Sequence, residues 1–287
     1  MPELPEVTAL SSALDTRLRG ARVAKVSVRS VAALKTYDPP IDALRGLEVA
    51  GATRHGKFVD LQLPPLHLIV HLARAGWMRL RDSGSADDRA ASLRGPLLLR
   101  IGFEDGRTLD VTEAGTEHRL AVYVVREPHD VPGIARLGPD ALADSFDAAA
   151  LHALLQIQHG TLKSVLADQA LVAGIGNAYS DEILHVARLS PFRRSDTLDA
   201  AETATLHAAV RNVLGDALAA ARSEAPETLK SAKKLRLRVH GRTGEPCAQC
   251  GDTVRQVAYA TRSFQYCPGC QTGGKVYADR RLSRLLK

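Results

Sequence analysis

The chain has 287 residues, of which 45% are hydrophobic and 24% charged, and its formal net charge is +6. At roughly 150 residues per domain this length predicts about two domains, and the apolar fraction excludes a mainly disordered chain. No apolar run reaches the roughly 18 residues of a membrane-spanning helix, and the first residues carry acids and prolines where a secretory signal has basic and apolar ones. We therefore expect a cytoplasmic protein with no membrane association.

The first predicted element is a helix from about residue 5 to 19, because Val7, Leu10, Leu14 and Leu18 recur at helical spacing behind Pro5. Short apolar or alternating runs, separated by Gly and Pro, then continue to residue 126 and predict a β-sandwich or barrel-like domain over 1–126. A Pro- and Gly-rich stretch marks a linker over 127–145, and helical periodicity predicts a helical domain over 146–240. Mobile loops are expected at 83–91 and 223–228.

The last segment, 241–287, contains all four cysteines of the chain. Cys247 and Cys250 form one C-x2-C pair, and Cys267 and Cys270 form a second after a spacing typical of two knuckles that bind one Zn²⁺. Four thiolates leave no open coordination position, so the predicted zinc is structural and not catalytic. A zinc ribbon that binds protein, or one that only caps the fold, has the same spacing.

Positive charge is concentrated toward the C-terminus. Residues 230–287 contain thirteen Lys or Arg and three acids, a formal charge of +10, whereas the rest of the chain is net acidic. This distribution favours a phosphate backbone as partner. The alternative is a solvated, charged tail.

A glycine-rich turn precedes a second apolar-periodic stretch. Gly174, Gly176 and Asn177 stand where a helix would begin, so free backbone N–H groups and the Asn177 amide could hold a phosphate. Lys163, a short distance upstream, favours this interpretation. The alternative is that the glycines only allow two helices to pack closely.

The N-terminus offers a nucleophile if Met1 is removed, since Pro2 would then expose a secondary amine. An α-amino group titrates near pH ~8, well below lysine, and is therefore more often neutral and nucleophilic. Glu3 and Glu6 are candidate acid/base groups beside that amine. The alternative is an uneventful Met-Pro start followed by the acids of a helical first turn.

Five motifs in order resemble one family. They are Pro2-Glu3-Leu4-Pro5-Glu6-Val7, Gly56-Lys57-Phe58, His71-Leu72, Gln169 through Tyr179, and the four-cysteine finger ending at Gln271. Together they resemble the formamidopyrimidine-DNA glycosylase/endonuclease VIII family. The resemblance implies an α+β multidomain fold with an N-terminal helix plus β-sandwich, a helix–two-turn–helix domain and a C-terminal β-hairpin zinc finger.

The resemblance also implies a function. We expect a bifunctional DNA glycosylase and abasic-site lyase of base excision repair, a monomer acting on double-stranded DNA at the bacterial nucleoid, with one structural Zn²⁺ and no diffusible cofactor. Pro2 is the implied Schiff-base nucleophile and Glu3 the acid/base group. Lys57, Asn177 and Arg262 are implied to contact the phosphates that flank the lesion.

The chain departs from the members that excise 8-oxoguanine in the loops that fill the gap left by a flipped base. The segment after His71 reads Leu-Ala-Arg-Ala-Gly, and residues 113–119 lack an aromatic wedge, which leaves Arg74, His118 or Arg119 to fill the gap. Residues 222–238 lack the Gly/Tyr-containing loop of those enzymes and carry lysines instead. The preferred lesion therefore stays open.

Two other function classes stay open as well. The altered loops are compatible with a protein that binds abasic or damaged DNA without cleaving it. A zinc-ribbon factor for RNA or protein requires the N-terminal resemblance to be accidental, and the low aromatic content argues against a base-stacking RNA surface.

Overall fold

The computed structural model describes residues 1–84, 97–114, 117–259 and 263–277. The chain divides into two compact units: Met1–Arg136 with Arg222–Lys230, and Leu137–Ala221 with the residues from Ser231 onward. Arg262, one of the expected phosphate ligands, and most of the expected loop at 83–91 lie outside the described residues.

Helix α1, Leu4–Leu18, opens the first unit close to its predicted position. Pro5 lies in its first turn, where proline is tolerated because the N–H groups there have no partner within the helix. Val7, Leu10, Leu14 and Leu18 are all nearly inaccessible to solvent, so the periodicity that predicted the helix is also its buried face.

Two antiparallel four-stranded sheets follow, with strand orders β1-β6-β7-β5 and β2-β3-β4-β8. Their apolar faces form the core of the first unit, as the alternating runs predicted. The strands are β1 Val23–Val28, β2 Gly51–His55, β3 Phe58–Leu63, β4 Leu66–His71, β5 Gly76–Arg81, β6 Leu97–Phe103, β7 Thr108–Glu113 and β8 Ala121–Val125.

Helix α1 packs against edge strands of both sheets. Asp15 Oδ1 accepts the backbone N–H of Ala52 in β2 at 2.8 Å, and Arg17 Nη2 pairs with Asp82, just after β5, at 2.7 Å. The helix therefore satisfies polar groups along edges that would otherwise be open to further strand pairing. Helix α2, Pro132–Ala135, ends this part of the unit.

The second unit is helical apart from one hairpin. Its described helices are α3 Ala148–Gln156, α4 Leu162–Ala167, α5 Asn177–Val186, α6 Ala200–Arg222, α7 Leu229–Arg236 and α8 Pro268–Gln271, although Arg222 at the end of α6 and Leu229 and Lys230 at the start of α7 belong to the first unit. Strands β9, Arg255–Ala258, and β10, Ser263–Tyr266, pair as an antiparallel hairpin beside the cysteines. The α+β fold expected from the sequence is confirmed. Among the described helices, none has the length and apolarity needed to cross a bilayer.

One segment differs from expectation. Residues 222–230 were predicted inside the helical domain, with a mobile loop at 223–228, but they belong to the first unit. Pro226 and Glu227 line a crevice with Leu10 of α1 and Met78 of β5. These two residues therefore lie beside α1 and β5, a placement that the polar sequence of the segment did not indicate.

Candidate active site and metal centre

The N-terminus of α1 brings Pro2 and Glu3 together in a buried position, whereas Met1 is 45% exposed. Glu3 precedes the first helical residue, and its carboxylate accepts the backbone N–H of Glu6. The start of a helix carries partial positive charge, which stabilises a carboxylate there and lowers the pKa of an amine placed beside it. The local structure thus places a carboxylate next to the position of a potential amine nucleophile.

Glu6 caps the first turn of α1. Its Oε2 accepts the backbone N–H of Glu3 at 2.9 Å, which completes a reciprocal capping box. The side chain is 2% exposed. Glu6 therefore stabilises the start of the helix, and its expected acid/base role stays a prediction.

Lys57 lies in the two-residue turn between β2 and β3. Gly56 has φ of +53°, a left-handed conformation that this tight turn needs and that glycine adopts at little cost. Lys57 is 6% exposed, so its side chain is largely buried beside the turn.

His71, at the end of β4, is held against the ring of Phe58 with centroids 4.7 Å apart. Burial, together with the charge of Lys57, lowers the pKa of His71 to about 4. At neutral pH His71 is therefore an uncharged hydrogen-bonding group, and any phosphate contact by it would not be ionic.

Two of the three side chains expected to fill a gap in DNA, Arg74 and Arg119, meet at one acid, Glu117, whereas Nδ1 of the third, His118, lies 3.8 Å from Oε2 of Glu113. Oε2 of Glu117 lies 3.9 Å from Nη1 of Arg74 and 3.6 Å from Nε of Arg119. The buried carboxylate of Glu113 accepts the backbone N–H groups of Arg119 and Leu120, and so fixes the backbone just before β8. Arg74 and Arg119 are more than half exposed, so both guanidinium groups are presented to solvent.

The glycine-rich turn of the second unit is held by Gln169. Its Nε2 donates to the carbonyl of Ile175 at 2.6 Å, and its Oε1 accepts the N–H of Gly174 at 3.0 Å. Gly174 has φ of +99°, a backbone conformation that favours glycine because a side chain would be strained there. The Asn177 amide donates to the carbonyl of Ser263 at 2.9 Å, and therefore ties the start of α5 to the hairpin strand β10.

The structure contradicts the expected phosphate contact of Lys163. Its side chain is 1% exposed, and its Nζ contacts Asp181 Oδ1 at 2.5 Å, Ser180 Oγ at 2.8 Å and the Asn177 carbonyl at 2.6 Å. A buried ammonium with an ion-pair partner has no face to offer a phosphate. Lys163 instead joins α4 to α5.

Two neighbouring acids on α5 were missed by sequence reasoning. Asp181 Oδ2 lies 2.7 Å from Nδ1 of His240. The Glu182 carboxylate accepts three successive backbone N–H groups, from Arg238, Val239 and His240. Although burial raises the pKa of Glu182, these bonds make it the anchor of the segment that leads into the finger. Consecutive acids within an apolar helix were the available signal.

The four cysteines converge as predicted. The sulfur atoms of Cys247, Cys250, Cys267 and Cys270 all lie within 4.8 Å of one another, which suits the tetrahedral separation of about 3.8 Å around one Zn²⁺. Burial raises the pKa of Cys267 to about 11 and also raises that of Cys270, so these two thiols need a nearby cation to be thiolates at neutral pH. The cluster can hold one metal ion.

Comparison with known sequences gives a consistent result. The profile of the formamidopyrimidine-DNA glycosylase N-terminal domain matches residues 1–115, and that of the formamidopyrimidine-DNA glycosylase H2TH domain matches residues 137–227. A formamidopyrimidine-DNA glycosylase of Desulfitobacterium hafniense is 32% identical over 284 residues, covering 94% of this chain and 100% of the relative. An uncharacterized formamidopyrimidine-DNA glycosylase-like protein of Mycobacterium tuberculosis is 56% identical over 151 residues, 53% of this chain and 94% of its own.

Comparison with solved structures also finds proteins of this kind. The MutM (Fpg) protein of Thermus thermophilus matches with a TM-score of 0.81 at 30% identity, over 96% of this chain and 100% of that one. The formamidopyrimidine-DNA glycosylase of Lactococcus lactis, bound non-covalently to DNA containing an abasic site, matches with a TM-score of 0.79 at 26% identity, over 94% and 99% of the two chains.

Proposed function

Because this chain belongs to the formamidopyrimidine-DNA glycosylase family, we propose that it removes a damaged base from double-stranded DNA and then cleaves the strand, with Pro2 as the nucleophile. DNA glycosylase activity in base excision repair is supported by the family. The covalent intermediate and the lyase step are the proposal. The observation that carries it is the buried pair of Pro2 and Glu3 at the N-terminus of α1.

The proposed reaction begins once Met1 has been removed. The Pro2 nitrogen attacks C1′ of the damaged nucleotide, the bond from C1′ to the base breaks, and the base leaves with a proton. The C1′–O4′ bond of the sugar then breaks as O4′ takes the proton that Glu3 accepted, which leaves an iminium that cannot lose a proton to become a neutral imine and that acidifies C2′. Loss of a C2′ proton breaks the C3′–O bond, and the 3′ phosphate leaves in β-elimination. A second, δ-elimination expels the 5′ phosphate, and hydrolysis of the iminium by water releases the sugar remnant and restores the Pro2 amine.

Glu3 serves in this scheme as the group that holds and moves protons beside the amine. The partial positive charge at the helix N-terminus and the hydrogen bond from the N–H of Glu6 stabilise the Glu3 carboxylate, which suits it to accept the proton from the nucleophile. Lys57 in the first unit, and Asn177 and Arg262 in the second, are the proposed phosphate contacts. The four cysteines would hold Zn²⁺, which supplies structure to the hairpin and no step of the chemistry.

The test is borohydride trapping on duplexes that carry an abasic site, 8-oxoguanine, a ring-opened purine or an oxidised pyrimidine, with Pro2→Gly as control. Mass spectrometry of the purified protein first establishes removal of Met1. We expect a covalent adduct that requires Pro2. Tight binding of the abasic duplex by Met1-free protein without any adduct would instead indicate a damage-binding protein that performs no chemistry.

A second test addresses Glu3. Glu3→Gln retains an oxygen that can cap α1, so the fold should be unchanged, but it removes the group that transfers protons. We expect single-turnover base excision to fall by about 100-fold or more, with DNA affinity within a few-fold of the wild type. Equal losses of affinity and rate would contradict the assignment.

A further inference from the structure

His185 lies in the last turn of α5, and its imidazole contacts the four-cysteine cluster. Its Nε2 atom is 3.3 Å from the sulfur of Cys247, and the residue is 5% exposed. Both residues belong to the second unit. They are 62 positions apart in the chain, so the spacing of the cysteines did not indicate this contact.

The imidazole is a neighbour of the candidate metal ligands and not one of them. Among the described residues, the ligand atoms that all lie within 4.8 Å of one another are the four cysteine sulfurs. Four sulfurs already complete the tetrahedral shell that Zn²⁺ prefers in structural sites. His185 therefore acts on the cluster through the sulfur of Cys247.

The two ring nitrogens of His185 have different surroundings. Nδ1 is buried and has no hydrogen-bond partner among the described residues, whereas Nε2 faces the sulfur. A proton on Nδ1 would leave a buried N–H unused and would set the lone pair of Nε2 against those of a thiolate. We therefore assign the proton to Nε2, which donates a hydrogen bond to the Cys247 thiolate.

Burial decides which sulfurs need such a donor. Cys247 and Cys267 are 2% and 0% exposed, whereas Cys250 is exposed and Cys270 half-buried. The backbone N–H of Cys270 donates to the buried sulfur of Cys267. The imidazole supplies the equivalent bond to Cys247. A thiolate that water does not reach is costly unless donors of this kind stabilise its charge.

Packing alone does not account for a histidine at this position. The two preceding residues of α5, Ile183 and Leu184, are fully buried apolar side chains. A buried imidazole with one unpartnered nitrogen carries a desolvation cost that a phenylalanine would not carry. A charge-assisted hydrogen bond from the other nitrogen to a thiolate offsets that cost.

We propose that His185 is a positioning residue of the metal centre, and that its Nε2–H group fixes the Cys247 thiolate and so strengthens metal binding. The inference rests on the proposed metal site and adds a residue outside the four ligands. Hydrogen bonds to ligand groups orient them, and removal of such a bond weakens metal binding by about 10- to 100-fold. The start of the same helix carries Asn177, a proposed phosphate contact, so α5 connects the metal centre with the proposed DNA interface.

The first experiment measures metal affinity in the whole chain. Wild type, His185→Phe and His185→Gln are titrated with Zn²⁺ in competition with a chromogenic chelator under reducing conditions. His185→Phe keeps a ring but has no donor, and we expect it to bind Zn²⁺ about 10- to 100-fold more weakly. His185→Gln has an amide that can donate near the position of Nε2, and it should recover most of this loss.

The second experiment separates the hydrogen bond from a general loss of stability. Co²⁺ bound to four thiolates gives charge-transfer bands whose energy depends on the electron density at sulfur. Loss of the donor raises that density, so His185→Phe should shift these bands to longer wavelength, and His185→Gln should not. A variant that is only less stable would take up less Co²⁺ without a change in band position.

The matched control is His207→Phe, which also removes a hydrogen-bonded imidazole from a helix of the second unit. His207 lies on α6, where its Nε2 contacts the carbonyl of Phe146 at 2.8 Å. This variant should match the wild type in Zn²⁺ affinity and in the Co²⁺ bands.

Three outcomes would overturn the proposal in distinguishable ways. Equal Zn²⁺ affinity and identical Co²⁺ bands in wild type and His185→Phe would refute the role of His185 and leave the metal site in place. Weaker binding with unchanged bands would assign His185 to packing. Failure of the wild type to bind either metal would refute the metal site itself, and the role of His185 with it.

Discussion

Single residues in this protein owe their chemical character to burial. Glu3 and Glu6 share one helical turn and one residue type, yet Glu6 is used as a cap while Glu3 stands beside Pro2. His71 and Lys57 illustrate the same point with charge: burial and the neighbouring ammonium keep the imidazole neutral at physiological pH.

The depressed pKa of His71 makes stability depend on pH. Its folded pKa of about 4 lies below the ordinary histidine pKa of 6.5, so between these pH values the unfolded chain binds more protons at this position. The stabilisation is fully present above about pH 6.5 and is lost as pH falls toward 4. On going from about pH 7.5 to about pH 5, the wild type should lose about 2 kcal/mol more unfolding free energy than His71→Gln.

Urea unfolding at the two pH values measures this difference, and His129→Gln, which changes an exposed histidine, is the matched control. The control should follow the wild type. Identical pH dependence in wild type and His71→Gln would show that His71 titrates alike in both states.

Whole elements are positioned here by buried polar side chains as well as by apolar faces. Lys163 on α4 meets Asp181 on α5, and the next residue, Glu182, holds the backbone that precedes the finger. The start of α5 is thereby connected to three other parts of the second unit. These contacts are long-range in sequence, so helical periodicity could predict the elements but not their connections.

Breaking the Lys163–Asp181 pair should therefore destabilise the fold without changing the DNA interface. Lys163→Met leaves a buried carboxylate without its ion partner, which costs about 3–5 kcal/mol. The double variant Lys163→Met/Asp181→Leu should recover much of that loss in urea unfolding. Folded Lys163→Met should bind DNA with an unchanged salt dependence; a salt slope smaller by about one would instead place Lys163 on a phosphate.

At the scale of the whole molecule, the proposed catalytic residues and the candidate metal site lie in different units. The first unit holds the proposed nucleophile, while the four-cysteine cluster and most of the C-terminal positive charge belong to the second. The described apolar core of the finger is small, so we expect its folding to depend on a bound metal ion.

Removal of the metal should therefore abolish DNA binding while leaving the first unit folded. We expect chelation to eliminate detectable binding of an abasic duplex, to leave the emission of Trp77 in the free protein unchanged, and to be reversed by added Zn²⁺. Metal analysis of the purified protein should give one equivalent. Undiminished DNA binding by the chelated protein would refute the role assigned to the finger.

The sequence by itself determined the features that depend on local order: the first helix, the sandwich strands with strong alternation, the cysteine spacing and the N-terminal motif. Strand β5 also alternates, with Met78 and Leu80 buried between Arg79 and Arg81, but this short run did not predict a strand by itself. Only the tertiary structure decided that Lys163 is buried, that residues 222–230 pack on the first unit, and that Arg79 and Lys230 share a cavity. Whether a charge is paired, buried or free depends on side chains distant in sequence, and only folding brings those together.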